Sequence, residues 1–347
     1  MVVSNRFDDE REATMATIGD VARRAGVSRS TVSYALSGKR SISPDTRRRI
    51  ESAIAELGFT PNAGARALAT AQTMVIGLFV QFFEDEFAPA MMQYVLPISD
   101  AAREAGYDIL MVTEQDGPKA LRRIADSNMV DGILLLNVAH EDPRVPILRS
   151  VRQPGSMVGL PKDTAGVDVF DLDFEASARL LIDHLHERGH RTVVLITPQQ
   201  HVFERGGAYA WRFRDAALER ASRYGIRVFS YAGETQQPGT NRQLGEILDA
   251  TSEATAWVVH NDATIAALPS VLHARGMQVP DDLSVVGIFS EDFGRMFSLP
   301  YSAVESSPDK LGRGAVQALV QRMLAPDGPA FETRFIAPEL TDRGSTR

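Results

Sequence analysis

Between residues 74 and 288 the chain repeats one pattern eight times: a short apolar run, then a longer stretch with helical spacing. The runs are 74–80, 107–112, 132–136, 156–160, 192–196, 227–231, 256–260 and 283–288. Parallel strands need a crossover of about a dozen residues, usually a helix, and those helices bury both faces of the sheet. The alternation therefore predicts βαβ units. The first four runs and the last four form two similar sets, which predicts two doubly wound parallel sheets in two lobes with a cleft between them.

Ligands in such sheets bind outside the carboxyl ends of the strands. That rule alone nominates Gln81, Phe82, Phe83, Thr113, Asn137, Thr197, Asp262, Ser290 and the loop holding Ser306. Asp262 is the firmest of these, because a strand-end carboxylate is the kind of convergent polar group a pocket needs. The competing reading makes Asp262 a cap for a helix starting at Ala263. Phe82, Phe83, Phe87 and Tyr209 offer ring faces for stacking on a ligand, although scattered aromatics more commonly fill cores.

The segment before these repeats has a different character. The whole chain carries a net charge of −8, yet residues 17–70 hold nine Lys/Arg against four Asp/Glu. A basic head on an acidic body suggests a polyanionic partner for the head and another task for the body. Thr17-Ile18-Gly19-Asp20 has the form of a capping box. Ile18, Val21, Ala22 and Ala25 then fall at helical spacing, and Gly26 stops the helix. Ser28 caps a second helix, with Val32 and Leu36 as its buried stripe and Arg29, Ser30, Ser33 and Tyr34 on the other face. Two short helices joined by Ala25-Gly26-Val27-Ser28 have the proportions of a helix-turn-helix, whose second helix enters the major groove. Ser43-Pro44 starts a third helix, with Ile50, Ile54 and Leu57 closing a miniature core before Gly58.

These residues carry a resemblance. Residues 16–22, Ala25-Gly26-Val27-Ser28, Ser30-Thr31-Val32-Ser33 and residues 61–68 resemble the N-terminal signature of the lactose/galactose repressor family. In the body, Val130-Asp131-Gly132-Ile133, Gly189-His190-Arg191, Asn261-Asp262, residues 279–287 and Glu339-Leu340 match that family's landmarks. The resemblance implies a small all-α helix-turn-helix head with a hinge helix, joined to an α/β two-lobed domain like the periplasmic sugar-binding proteins. The implied domains are a flexible extension over 1–16, the head over 17–60, the hinge over 61–71 and an effector-binding, dimerising body over 72–347.

The implied roles follow residue by residue. Arg29, Ser30 and Tyr34 stand where the family reads base edges, and arginine can bind guanine bidentately. Ser28, Thr31 and Asn62 stand at phosphate contacts, which position the head without reading sequence. Thr17, Ser33 and Ala65 complete the candidate DNA-contacting set. Leu68 is the hinge wedge that pries open a base step in the minor groove, unless it is an ordinary core leucine. The candidate effector-binding set is Phe82, Phe83, Thr113, Asn137, Tyr209, Arg212, Asp262, Phe289 and Ser306. Five positions depart from the family pattern, the first being Arg212 in place of a glycine. Tyr209 replaces an arginine, Phe174 an asparagine, Phe289 an aspartate and Ser306 a glutamine. Arg212 would restore the missing guanidinium one turn further on.

The expected function is a sequence-specific DNA-binding transcriptional regulator, a repressor by family default, whose operator affinity is set by a small-molecule effector such as a sugar. The alternatives are a solute-binding protein or a sugar-processing enzyme on the same fold. The head argues against both. No phosphate-binding loop, nucleophile elbow or dinucleotide fingerprint occurs, so no enzyme activity and no cofactor are expected. His184 and His186 are two apart on a helix and make a poor metal pair. The absence of cysteine and of a long apolar span fits a cytoplasmic protein that engages no membrane. Expected partners are double-stranded operator DNA, the effector and a second copy of the chain. The homodimer surface is expected at Phe87, Met91, Met92, Val95 and Leu96, with Pro97 kinking or restarting the helix there.

Overall fold

The structure is a computed structural model that describes residues 16–37, 40–59, 70, 72–83, 86–325 and 328–347. Asn62, Ala65 and Leu68, with nearly all of the expected hinge, lie outside the described residues, as does most of the 1–16 extension. The chain divides into two units, Met1–Thr73 and Met74–Arg347.

The first unit holds α1 (Ile18–Ala25), α2 (Arg29–Ser37) and α3 (Pro44–Leu57). Each boundary has a local cause. Thr17 and Asp20 form a reciprocal capping box at the start of α1, and Gly26 ends it at φ 66°. Ser28 Oγ accepts the Thr31 N–H at 3.1 Å, capping α2. Ser43 caps α3 ahead of Pro44, and Gly58 closes it at φ 59°. The core consists of Val21, Ala22, Ala25, Val32, Ile50 and Ala53. Leu57 does not join it and is 37% exposed. Phe59 packs there instead, one residue past the left-handed turn at Gly58.

The second unit contains two six-stranded sheets. The first lobe uses β1 (Val75–Phe79), β2 (Asp108–Val112), β3 (Gly132–Leu136), β4 (Gly155–Val158), β5 (Asp168–Leu172) and β11 (Thr333–Ile336) in the order β11-β5-β4-β3-β1-β2. The second uses β6 (Thr192–Thr197), β7 (Arg227–Ala232), β8 (Ala256–Val259), β9 (Ser284–Ile288), β10 (Ser302–Val304) and β12 (Leu340–Thr341) in the order β12-β10-β9-β8-β6-β7. Every pairing is parallel except β10 with β12. In both sheets the winding reverses at one place, between β1 and β3 and between β6 and β8. Those are the switch points where a cleft opens.

All eight expected strands are present within a residue or two. Four more were not expected. Asp168 and Asp171 interrupt the apolar run of β5, yet both are buried, because Arg322 and Arg212 reach them from distant elements. β10, β11 and β12 hold only two to four residues each.

The helices that frame the cleft are α4 (Ala88–Glu104), α7 (Phe174–Glu187), α9 (Ala208–Arg223), α11 (Asp262–Ala274) and α13 (Pro308–Leu324). α4 runs through Pro97 without restarting. Burial of Val95, Ile98, Ala101 and Ala102 on both sides of the proline holds the helix together despite the lost backbone hydrogen bond. α13 comes so close that a Cβ on Gly312 would lie 2.9 Å from Ile98 Cγ1. The expected dimer cluster on α4 does not form one exposed face. Val95 is buried, Phe87 packs edge-on against Phe293, and only Leu96 is largely exposed, at 58%.

Candidate functional site

In the head, the capping geometry decides which groups of α2 stay free. Ser28 Oγ lies 2.7 Å from Ser30 Oγ and 2.8 Å from Thr31 Oγ1, so the three hydroxyls form one cluster at the helix N-terminus. Backbone N–H groups and the helix dipole at that end favour an anion. Thr17 is tied back to Asp20, its hydroxyl donating at 2.7 Å. Arg29 and Ser30 are exposed and Tyr34 is 39% exposed, while Ser33 is half-buried. The guanidinium of Arg29 lies over Gly19 of α1: a Cβ there would be 2.9 Å from Nη2. Thus Thr17, Ser28, Arg29, Ser30, Thr31, Ser33 and Tyr34 all lie on α2 or at the helix entrances beside it.

In the body, a cavity of about 180 Å³ opens where the two switch points face each other. Asn137 follows β3, Asp171 is the penultimate residue of β5, Gln199 follows β6, and His260, Asn261 and Asp262 follow β8; Ser306 comes after β10. Of the expected effector residues, Asn137, Tyr209, Asp262 and Ser306 line this cavity.

The loop after β3 is held by Arg144. Its Nη2 donates to the Asn137 carbonyl at 3.0 Å and to Asp142, fixing Asn137 in the left-handed region at φ 57°. After β8, the helix cap is Asn261, not Asp262. Asn261 Oδ1 accepts the Thr264 N–H at 2.9 Å, and Asp262 becomes the first helical residue. The Asp262 carboxylate is thus released from capping. Burial raises its pKa to about 7, opposed only by a hydrogen bond from its own N–H.

The other expected residues lie elsewhere. Arg212 is not on the wall: it binds Asp171 at 2.5 Å and Glu175 at 3.1 Å from behind. Burial raises Asp171 to about 6, against the pull of Arg212. Phe289 is 1% exposed in the second lobe's core, wedged against Gly287 and Gly294. Thr113 is exposed, Phe82 packs against the main core, and Phe83 lies under Arg205 at 4.1 Å.

Several wall residues were not anticipated. Tyr94 and Gln93 come from α4, and Phe87 and Met91 of the cluster expected to pair subunits also line the cavity. Glu86 binds Arg205 and accepts from Asn137 Nδ2 at 3.2 Å, so it joins the two lobes. His260 stacks on Phe174 at 5.6 Å, with Tyr209 edge-on at 5.7 Å. Burial lowers the pKa of His260 to about 3, so the ring is neutral. Only the strand-end rule could have found His260. Tyr94 and Glu86 carry no such signal.

Among the described residues, no group of His, Cys, Asp and Glu could hold a metal ion. His184 bonds Thr346 at 2.8 Å, and His186 stacks on Tyr224. Among the described residues no helix is long and apolar enough to cross a membrane.

Comparison with known proteins agrees with this two-part layout. Residues 17–62 match the family described as bacterial regulatory proteins, lacI family, and residues 182–346 match a periplasmic binding protein-like domain. The HTH-type transcriptional regulator CelR of Thermobifida fusca is 30% identical over 318 residues, 88% of this chain and 92% of that protein. The HTH-type transcriptional repressor PurR of Haemophilus influenzae (strain PittEE) is 27% identical, over 96% of this chain and 99% of that one. A solved CelR–cellobiose complex aligns with a TM-score of 0.64 at 25% identity, covering 95% of this chain and 99% of that one. The lac repressor dimer bound to operator and the anti-inducer ONPF has the same fold, with a TM-score of 0.78 at 22% identity over the same shares. The chain belongs to the lacI family of bacterial regulatory proteins and is a helix-turn-helix transcriptional regulator.

Proposed function

We propose that α2 reads an operator through Arg29, Ser30 and Tyr34, and that the inter-lobe cavity binds the effector through Asp262, Asn137, Tyr209 and Ser306. The observation that carries the second half is convergence: strand ends from both lobes meet at one cavity, and Asp262 stands there freed from capping by Asn261. A ligand touching both lobes changes the balance between their open and closed arrangements. It moves operator affinity only by its differential affinity for those states.

Three base-reading side chains are too few for a strong site alone, so the chain acts as a homodimer on a near-palindrome. Repression is the expected sense. The test begins with operator selection from random DNA by the full chain, followed by titration with sugars, cellobiose first because a relative binds it. Asp262→Ala should abolish the effector response and leave effector-free operator affinity within about twofold. Unchanged effector affinity in that variant removes Asp262 from the site.

A further inference from the structure

Taking the cavity as the effector site, we infer that it selects by charge and takes a single-ring ligand bearing a protonated nitrogen, held by Asp262. Size comes first. An engineered cavity of about 150 Å³ holds one benzene, so about 180 Å³ suits one ring with small substituents. A second joined ring would extend toward the open side of the cleft.

Charge narrows the class further. Among the described residues the charged ones on the wall are Glu86, Asp171 and Asp262, with no Lys or Arg. The two arginines nearby stand behind carboxylates: Arg205 on Glu86, and Arg212 on Asp171 and Glu175. Asp262 has no countercharge. An anionic ligand would meet the unpaired Asp262 and find no free cation among the described wall residues, since Arg205 and Arg212 are already committed to carboxylates, so phosphorylated and carboxylated metabolites are refused. With a hydroxyl, Asp262 either keeps its proton, as its pKa of about 7 allows, or carries an unpaired charge at a site that closes away from water, which is costly. An ammonium group supplies both the donor and the charge.

A second, independent feature asks for a donor. His260 is 8% exposed, lines the cavity, and has no hydrogen-bond partner for its Nδ1 among the described residues. Its neutral ring can accept one N–H from the ligand at that atom. Tyr94 and Tyr209 also line the cavity, and aromatic rings suit a cation, since their quadrupole attracts positive charge.

The experiment uses the full chain at neutral pH and three probes sharing one ring: cyclohexylammonium, cyclohexanol and cyclohexanecarboxylate. Affinities come from calorimetry and thermal shift, with cellobiose as a two-ring comparison. The ammonium should bind at least about tenfold tighter than the alcohol, and the carboxylate should give no protection. Asp262→Asn, close to isosteric, should shrink the ammonium preference to about twofold or less while the protein keeps its melting transition. An alcohol or carboxylate that binds as tightly as the ammonium overturns the inference, as does a preference that survives Asp262→Asn. If cellobiose binds, loses its affinity in Asp262→Asn, and the ammonium does not bind, the effector site stands and the charge selection falls. If neither cellobiose nor any ring probe binds, both fall.

Discussion

Replacing Gly19 by alanine separates the stability of the head from its ability to read DNA. Gly19 is the second residue of α1, and it is buried. What covers it is Arg29, whose Nη2, Nε and Cζ would lie 2.9, 3.0 and 3.2 Å from a Cβ at that position. A methyl group and the guanidinium cannot share that space, so Arg29 must move. Glycine within a helix costs about 0.5–1 kcal/mol relative to alanine, and the substitution should leave α1 unchanged or slightly more stable. The displaced guanidinium has the opposite effect on recognition. A bidentate arginine–guanine contact contributes about 1–3 kcal/mol of discrimination, so complete loss of it, the upper limit for a displaced guanidinium, lowers the operator-to-random affinity ratio by roughly 5- to 150-fold. Fluorescence anisotropy on both DNAs at one salt concentration reads the ratio, and amide exchange in α1 reads the stability. A stabilised variant that discriminates as before would show that the resting place of Arg29 has no bearing on recognition. Equal loss on both DNAs would make Arg29 a phosphate contact.

Three further outcomes follow from the body and the hinge. Asp262 is an acid whose folded pKa, about 7, is raised above its unfolded value, so the folded body holds a proton that the unfolded chain releases. Stability should therefore fall as pH rises from about 4 to about 7, with a slope of at most about 1.4 kcal/mol for each pH unit. The melting-point advantage of Asp262→Asn over the parent should widen across that window and level off above it; an advantage independent of pH contradicts the assignment. Arg205→Ala removes the ion pair with Glu86 and the cation over Phe83, both of which join the lobes. It should cost about 1–3 kcal/mol of closure and enlarge the effector-free body in small-angle scattering; an unchanged profile argues against a latch. Leu68→Ala should weaken operator binding and reduce DNA bending with little change in melting temperature, because unstacking a base step costs about a few kcal/mol that the wedge must offset. A large melting-point drop with normal bending would make Leu68 a core residue.

The fold was legible wherever burial needs no distant partner. Eight strands and three head helices announce themselves through apolar runs, caps and glycine stops. β5 hides because its buried Asp168 and Asp171 look like surface residues until Arg322 and Arg212 arrive from elsewhere. Asp262 was legible because a strand end at a switch point is a local property. Tyr94 was not, since helical spacing gives the stripe but not which neighbour each face meets. Arg212 and Phe289 carry the same lesson. A departure from a family pattern marks a changed position without saying whether the new side chain reaches the cavity.

The lobes are not consecutive pieces of chain. The first lobe starts at β1 but receives its edge strand β11 only at Thr333–Ile336, and the second receives β12 after that. A ribosome must therefore translate almost the whole body before either sheet can be finished, whereas the head is complete within the first sixty or so residues. A frameshift or nonsense codon shortly before residue 330 would yield an intact head attached to two unfinished sheets, without the paired body that strong operator binding needs. Recombination meets the same obstacle. Grafting a new effector specificity by exchanging one contiguous half would part the first lobe from its edge strand β11, so specificity in this fold is better altered residue by residue along the cavity wall.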